Sequence, residues 1–192
     1  DVKTIYEAPI SFFNQGLDKQ VLKYFKIKPK KKINLSPWKN VTKIVTDKDL
    51  KVINIAIVGK YVDLKDAYKS LDEALVHGGI ANNVKVNLVR IESDNLKNNE
   101  IKSKLKNVSG LLIPGGFGKR GTEGKIAAIK YARENKIPFL GICFGMQMAI
   151  VEFARNKLKI KKAGSTELDR NCYPVIGLIN EWDKNGEIIK GT

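Results

Sequence analysis

The stretch Ile137-Pro-Phe-Leu-Gly141-Ile142-Cys143-Phe144-Gly145-Met146-Gln147-Met-Ala-Ile-Val-Glu-Phe-Ala-Arg-Asn-Lys157 decides the fold. Residues 137–142 form an apolar run of strand length. Residues 145–157 carry a longer apolar pattern that predicts a helix with Met146, Ala149, Ile150 and Phe153 facing inward. Between them stands Gly-x-Cys-x-Gly, the cysteine form of the nucleophile elbow. Its glycines leave room for a tight strand-to-helix turn that lifts the central side chain to the edge of a sheet. The N-terminal end of the following helix favours negative charge there. The bland alternative is a cysteine acting as a small buried hydrophobe.

Upstream, the same alternation repeats. Residues 52–58 are apolar and β-branched and end at Gly59, the form of a buried parallel strand. Residues 66–77 predict a helix stopped by Gly78-Gly79, and residues 84–91 a second strand. Residues 98–106 predict a short helix, 110–113 a third strand and 122–135 another helix. Strand–helix alternation with short connectors predicts an α/β fold, a doubly wound and mainly parallel sheet with flanking helices. Residues 1–50 differ, with 11 Lys against five acids and no strand alternation. Apolar residues at helical intervals from Ile5 to Phe25 predict a helical tail. Pro29, Pro37 and the lysine run at 26–32 predict a basic linker. The expected division is therefore 1–50 and 51–192, the first part being the tail of another unit.

The 192 residues carry 35 Lys+Arg, 20 Asp+Glu and one His, a formal net charge of +15. With 43% hydrophobic residues the chain can bury a core, which argues against disorder. Thirty of the basic residues are Lys and five are Arg. Specific base readout favours Arg, so no specific nucleic-acid partner is expected. Two widely spaced cysteines exclude a disulfide scaffold and argue against a zinc site. No apolar run approaches a membrane span, and a reduced, cytoplasmic location is the expectation.

A second strand end, Ile113-Pro114-Gly115-Gly116-Phe117-Gly118, can aim backbone N–H groups at an anion. One N–H from this turn and one from Phe144 would stabilise a tetrahedral oxyanion at Cys143. Residues 115–121, with Lys119 and Arg120, would wall the pocket. Cys172 reads as structural, Asp66 as a helix N-cap rather than a metal ligand with Asp63, and Glu181-Trp182-Asp183 as a surface turn. No metal site and no Walker A pattern is expected.

Cys143 with its flanking glycines, Met146, Gln147 and the upstream Pro-Gly-Gly-Phe-Gly resembles the class I (triad-type) glutamine amidotransferases. Gly59-Lys60-Tyr61, Asp66-Ala67-Tyr68, Arg120-Gly121 and Ser165-Thr166-Glu167 narrow the resemblance to the CTP synthase family. It implies a flavodoxin-like glutaminase fold and a nucleophilic role for Cys143. Gly115, Gly116, Phe144, Gly145, Met146, Gln147 and Glu167 would contribute oxyanion and glutamine binding. Asp1 and Val2 match a segment near the family's adenine nucleotide site, and Arg120 a region tied to GTP activation. Released ammonia would aminate UTP in an ATP- and Mg-dependent step elsewhere in a homotetramer.

Such chemistry also needs a base. The only histidine, His77, falls in a signature block that does not match the family's base, and no His-Pro-Glu occurs. Asp1 and Thr192 read as cuts within a longer protein, so this chain alone is not expected to hydrolyse glutamine. Two alternatives stay open: an elbow-cysteine hydrolase of the ThiJ/PfpI type, and a non-catalytic interaction module.

Overall fold

A computed structural model describes residues 2–29, 31–60, 65–94, 96–177, 181–184 and 186–190. The chain forms two compact units, residues 1–52 with 73–86, and residues 53–72 with 87–192.

In the first unit the expected helix over residues 5–25 is broken. A 3₁₀ turn (Ile5–Glu7) leads to α1 (Ala8–Asn14), and α2 (Leu17–Tyr24) begins after Gly16. Gly16 adopts φ +77°, a left-handed conformation that ends one helix before the next starts. The expected linker also contains a helix, α3 (Ser36–Thr46). Pro37 near its start needs no N–H partner and has the φ a first turn requires, so proline starts this helix rather than excluding it. Trp38 Nε1 donates to the Tyr6 carbonyl at 2.6 Å, tying α3 to the N-terminal turn.

The second unit holds the sheet. β1 (Val52–Gly59), β2 (Lys85–Glu92), β3 (Gly110–Ile113) and β4 (Phe139–Gly141) lie in the order β2-β1-β3-β4. The β1–β3 and β3–β4 pairs are parallel, with Ile57 opposite Leu112 and Leu112 opposite Leu140. Ala56, Ile57, Val58, Leu111, Leu112 and Ile113 are all buried, as strands covered on both faces require. The helix α4 (Lys69–Ala81) follows a 3₁₀ turn (Lys65–Tyr68). α4 runs through Gly78-Gly79 instead of stopping there, and Asp66 lies inside the 3₁₀ turn rather than capping α4. α5 (Asn98–Leu105), α6 (Thr122–Glu134) and α7 (Phe144–Asn156) complete the alternation.

The buried face of α7 is not the expected one. Met146, Ile150 and Phe153 are exposed and Ala149 is half-buried, whereas Met148, Val151, Glu152 and Ala154 are buried. Glu152 is tolerated inside because the Arg133 guanidinium forks onto both its oxygens, at 2.7–3.2 Å, and Asn156 Nδ2 donates at 3.1 Å. The same hydrogen bonds raise the Arg133 pKa further above its usual value. β5 (Ala163–Ser165) and β6 (Tyr173–Ile176) form a parallel pair beyond α7. β7 (Glu181–Lys184) pairs antiparallel with β8 (Glu187–Lys190), so the segment expected as a surface turn is one arm of a hairpin.

Candidate active site

Cys143 stands between β4 and α7 and is the N-cap of α7, with φ 52° and ψ −108°. That conformation is unfavourable for a residue with a side chain and costs on the order of 1–3 kcal/mol. Three backbone hydrogen bonds hold it: Ile142 N–H to Ile113 O at 3.0 Å, Gly145 N–H to Ile142 O at 2.9 Å, and Gln147 N–H to Cys143 O at 3.1 Å. Both flanking glycines are sterically required. A Cβ on Gly141 would lie 2.6 Å from Gly145 C and Met146 N. One on Gly145 would lie 2.9 Å from Ile113 C and Cβ, and closer still to the Ile113 carbonyl oxygen. The thiol is exposed.

The glycine-rich turn after β3 meets this elbow. A Cβ on Gly115 would sit 3.7 Å from Cys143 Cβ and 3.9 Å from Ile142 O, so the two strand ends are in contact range. Phe117 projects outward, 83% exposed. Gly118 and Gly121, at φ 74° and 68°, let the segment turn back into α6.

Two lysines lie behind this turn, and the sequence reading assigned neither a role. Lys60, just past the end of β1, is 7% exposed; its ammonium donates to the Gly118 carbonyl at 3.0 Å and to the Phe117 carbonyl. Lys125, in the first turn of α6, is 1% exposed. Its Nζ is 4.9 Å from the Phe144 ring centroid, and Lys60 Nζ is 5.9 Å from the same ring. Burial lowers the pKa of both. Lys125 falls to about 8, mainly through desolvation and then through Lys60, with Asp94 and Glu92 opposing. For Lys60 the Arg120 charge adds to desolvation, while Asp94 and Glu167 oppose. Asp94 Oδ2 also pairs with Arg120 Nε at 2.9 Å. The signal for Lys60 was its place, a polar residue closing a buried parallel strand, where ligands of such sheets gather. Lys125 had no comparable signal, because lysine is almost never fully buried.

The structure therefore brings Cys143, Phe144, Gly145, Gly115 and Gly116 together around one turn. Met146 is 53% exposed and Gln147 half-buried in the first turn of α7. Glu167 is exposed after β5, its N–H bonded to Ser165 Oγ at 3.3 Å. Lys119 lines a cleft of about 630 Å³ with Arg155, Ser165 and Cys172, and Cys143 is not among its walls. Val2 belongs to the first unit, as does His77, whose ring meets Tyr6 edge-on at 5.9 Å. Asp1, Tyr61 and Asp63 lie outside the described residues. Among the described residues, no group of three or more His, Cys, Asp or Glu is arranged to hold a metal ion. No described helix is long and apolar enough to cross a membrane.

Residues 63–178 match the family model of glutamine amidotransferase class-I. The chain is 70% identical over 192 residues to a CTP synthase of Pelagibacter ubique, covering all of this chain and 36% of that protein. It is 51% identical over 191 residues to a CTP synthase of Gluconobacter oxydans, covering 99% of the chain and 35% of that protein. The chain thus spans about a third of the length of these relatives. Among solved structures, it is similar to the Trypanosoma brucei CTPS glutaminase domain with bound acivicin. The TM-score is 0.63 at 34% identity, covering 67% of this chain and 50% of that one.

Proposed function

Because the chain belongs to the class-I glutamine amidotransferase family, we propose that it is the glutaminase portion of a CTP synthase, with Cys143 as its nucleophile. The observation that carries this reading is the elbow: an exposed thiol held at φ 52° beside the glycine turn that follows β3. The Cys143 sulfur attacks the carboxamide carbon of glutamine and the carbonyl oxygen takes up negative charge. N–H groups of Phe144 and of the turn at Gly115-Gly116 receive that charge. The C–N bond then breaks, ammonia leaves with the proton taken from the thiol, and water hydrolyses the glutamyl thioester. Gln147 and Glu167 hold the substrate, Glu167 by its α-ammonium, while Gly145 and Met146 shape the site.

This chemistry also needs a proton carrier; in the family the chain resembles it is a His–Glu pair, and no His-Pro-Glu occurs in these 192 residues. On this reading residues 1–50 are the end of a synthase domain plus linker, and residues 51–192 belong to the glutaminase. In the synthase domain the ammonia aminates UTP with ATP and Mg, in a cytoplasmic homotetramer. Asp1 and Val2 lie near the adenine nucleotide and Arg120 in the region answering GTP. The described residues offer no carboxylate cluster for Mg, so no step of that chemistry is assigned to this chain. No feature favours the ThiJ/PfpI-type hydrolase or the interaction module.

The test is Cys143→Ala in the full-length enzyme. CTP formation from glutamine is lost while formation from ammonia persists. Wild-type synthesis from glutamine in that variant would overturn the assignment.

A further inference from the structure

A buried lysine is an expensive feature when, among the described residues, no carboxylate stands in hydrogen-bonding contact with it. Lys125 is 1% exposed and contacts the Phe144 ring, and its Nζ is 3.7 Å from where a Cβ on Gly116 would stand. The nearby cation Lys60 repels it, and Asp94 and Glu92 offset only part of that cost. A methionine would fill the same volume without desolvating a charge, and such replacements are often neutral or stabilising. Packing alone therefore does not account for a lysine here.

Its surroundings do. Gly116 and Phe144 belong to the two segments assigned to the oxyanion, and the Lys125 ammonium lies close to both. Lys60 fixes the outer end of the same turn through the Phe117 and Gly118 carbonyls. The geometry points to Lys125 as a positioning residue of the glutaminase site: its ammonium, set between the Phe144 ring and Gly116, keeps the two N–H-bearing segments in register and places positive charge behind the developing oxyanion. This rests on the reading of Cys143 given above. A charge in the interior acts over several ångströms with little screening. It acts on the tetrahedral anion far more than on the neutral carboxamide, so its loss appears in kcat rather than in KM. With a pKa near 8, the group is cationic at neutral pH.

The test compares wild type with Lys125→Met in the full-length enzyme, reading ammonia release from glutamine and the thermal midpoint. The expected result is a kcat reduced at least about 10-fold, part of the cost of deleting an oxyanion donor. KM for glutamine stays within about twofold and Tm is unchanged or higher, since a costly buried charge has gone. A kcat within twofold of wild type would overturn the proposal. Should Tm fall instead, Lys125→Arg decides. Recovery of kcat supports the proposal, and a kcat as low as that of K125M at wild-type Tm refutes it. If wild type itself does not release ammonia from glutamine, the reading of Cys143 fails rather than the role of Lys125.

Discussion

Replacing Gly145 with alanine probes the packing that sets the elbow. The added Cβ would stand 2.9 Å from Ile113 C and Cβ, and closer still to the Ile113 oxygen, against ordinary contacts of 3.4–4 Å. These neighbours include backbone of a buried central strand, so α7 must retreat from β3. Overpacking of this kind costs about 1–3 kcal/mol. Retreat also stretches the 3.0 Å hydrogen bond from Ile142 N–H to the Ile113 carbonyl, worth about 1 kcal/mol. Alanine returns about 0.5–1 kcal/mol through helix propensity. The net loss is about 1–3.5 kcal/mol, and at about 2–4 °C per kcal/mol for a chain of this size the thermal midpoint falls by roughly 2–14 °C. Gly78→Ala is the matched control: it lies within α4 and its Cβ would meet nothing within 4 Å, so Tm is held or raised by a few degrees. Circular dichroism melts of both variants read this directly. An unchanged Tm for G145A would refute the close approach of α7 to β3.

Two further outcomes follow from the buried charges. Arg133→Met strands the Glu152 carboxylate, 1% exposed, with Asn156 as its remaining partner among the described residues, and costs about 3–5 kcal/mol in denaturant unfolding. The double variant R133M/E152M recovers most of that loss, and a double variant no more stable than R133M would contradict the pairing. Lys125 titrates near pH 8 when folded and near 10.5 when unfolded, so above pH 8 the unfolded chain holds more protons and stability rises with pH. Between pH 8 and 9.5 wild type gains about 1.5 kcal/mol relative to K125M. The facing groups Lys60, Glu92 and Asp94 are present in both proteins. A pH-independent difference would show that Lys125 is not desolvated.

The parallel strands were legible because β1 and β3 are continuous apolar runs, and the elbow because two glycines bracket one cysteine at a strand–helix junction. Three features misled for identifiable reasons. Lysine and proline density around residues 26–37 hides α3, since Pro37 reads as a break where it in fact starts a helix. The apolar side chains of Met146, Ile150 and Phe153 drew the inward face of α7 to the wrong side. The face that packs instead includes Glu152, whose burial depends on an arginine one helix away. Lys60 is marked in the sequence only by its place at the end of β1, and Lys125 is invisible as a site residue because hydrophobic patterning assigns every lysine to solvent. Their burial is a tertiary property of the turn they support.

A nucleophilic Cys143 can be tested at the thiol itself. The most direct measurement is peptide mapping by mass spectrometry after treating the full-length enzyme with a glutamine-mimicking electrophile, with and without excess glutamine. The expected result is one adduct on the peptide carrying Cys143, none on Cys172, and protection by glutamine. Labelling of Cys172 with Cys143 untouched, or labelling of Cys143 that glutamine does not slow, would contradict it.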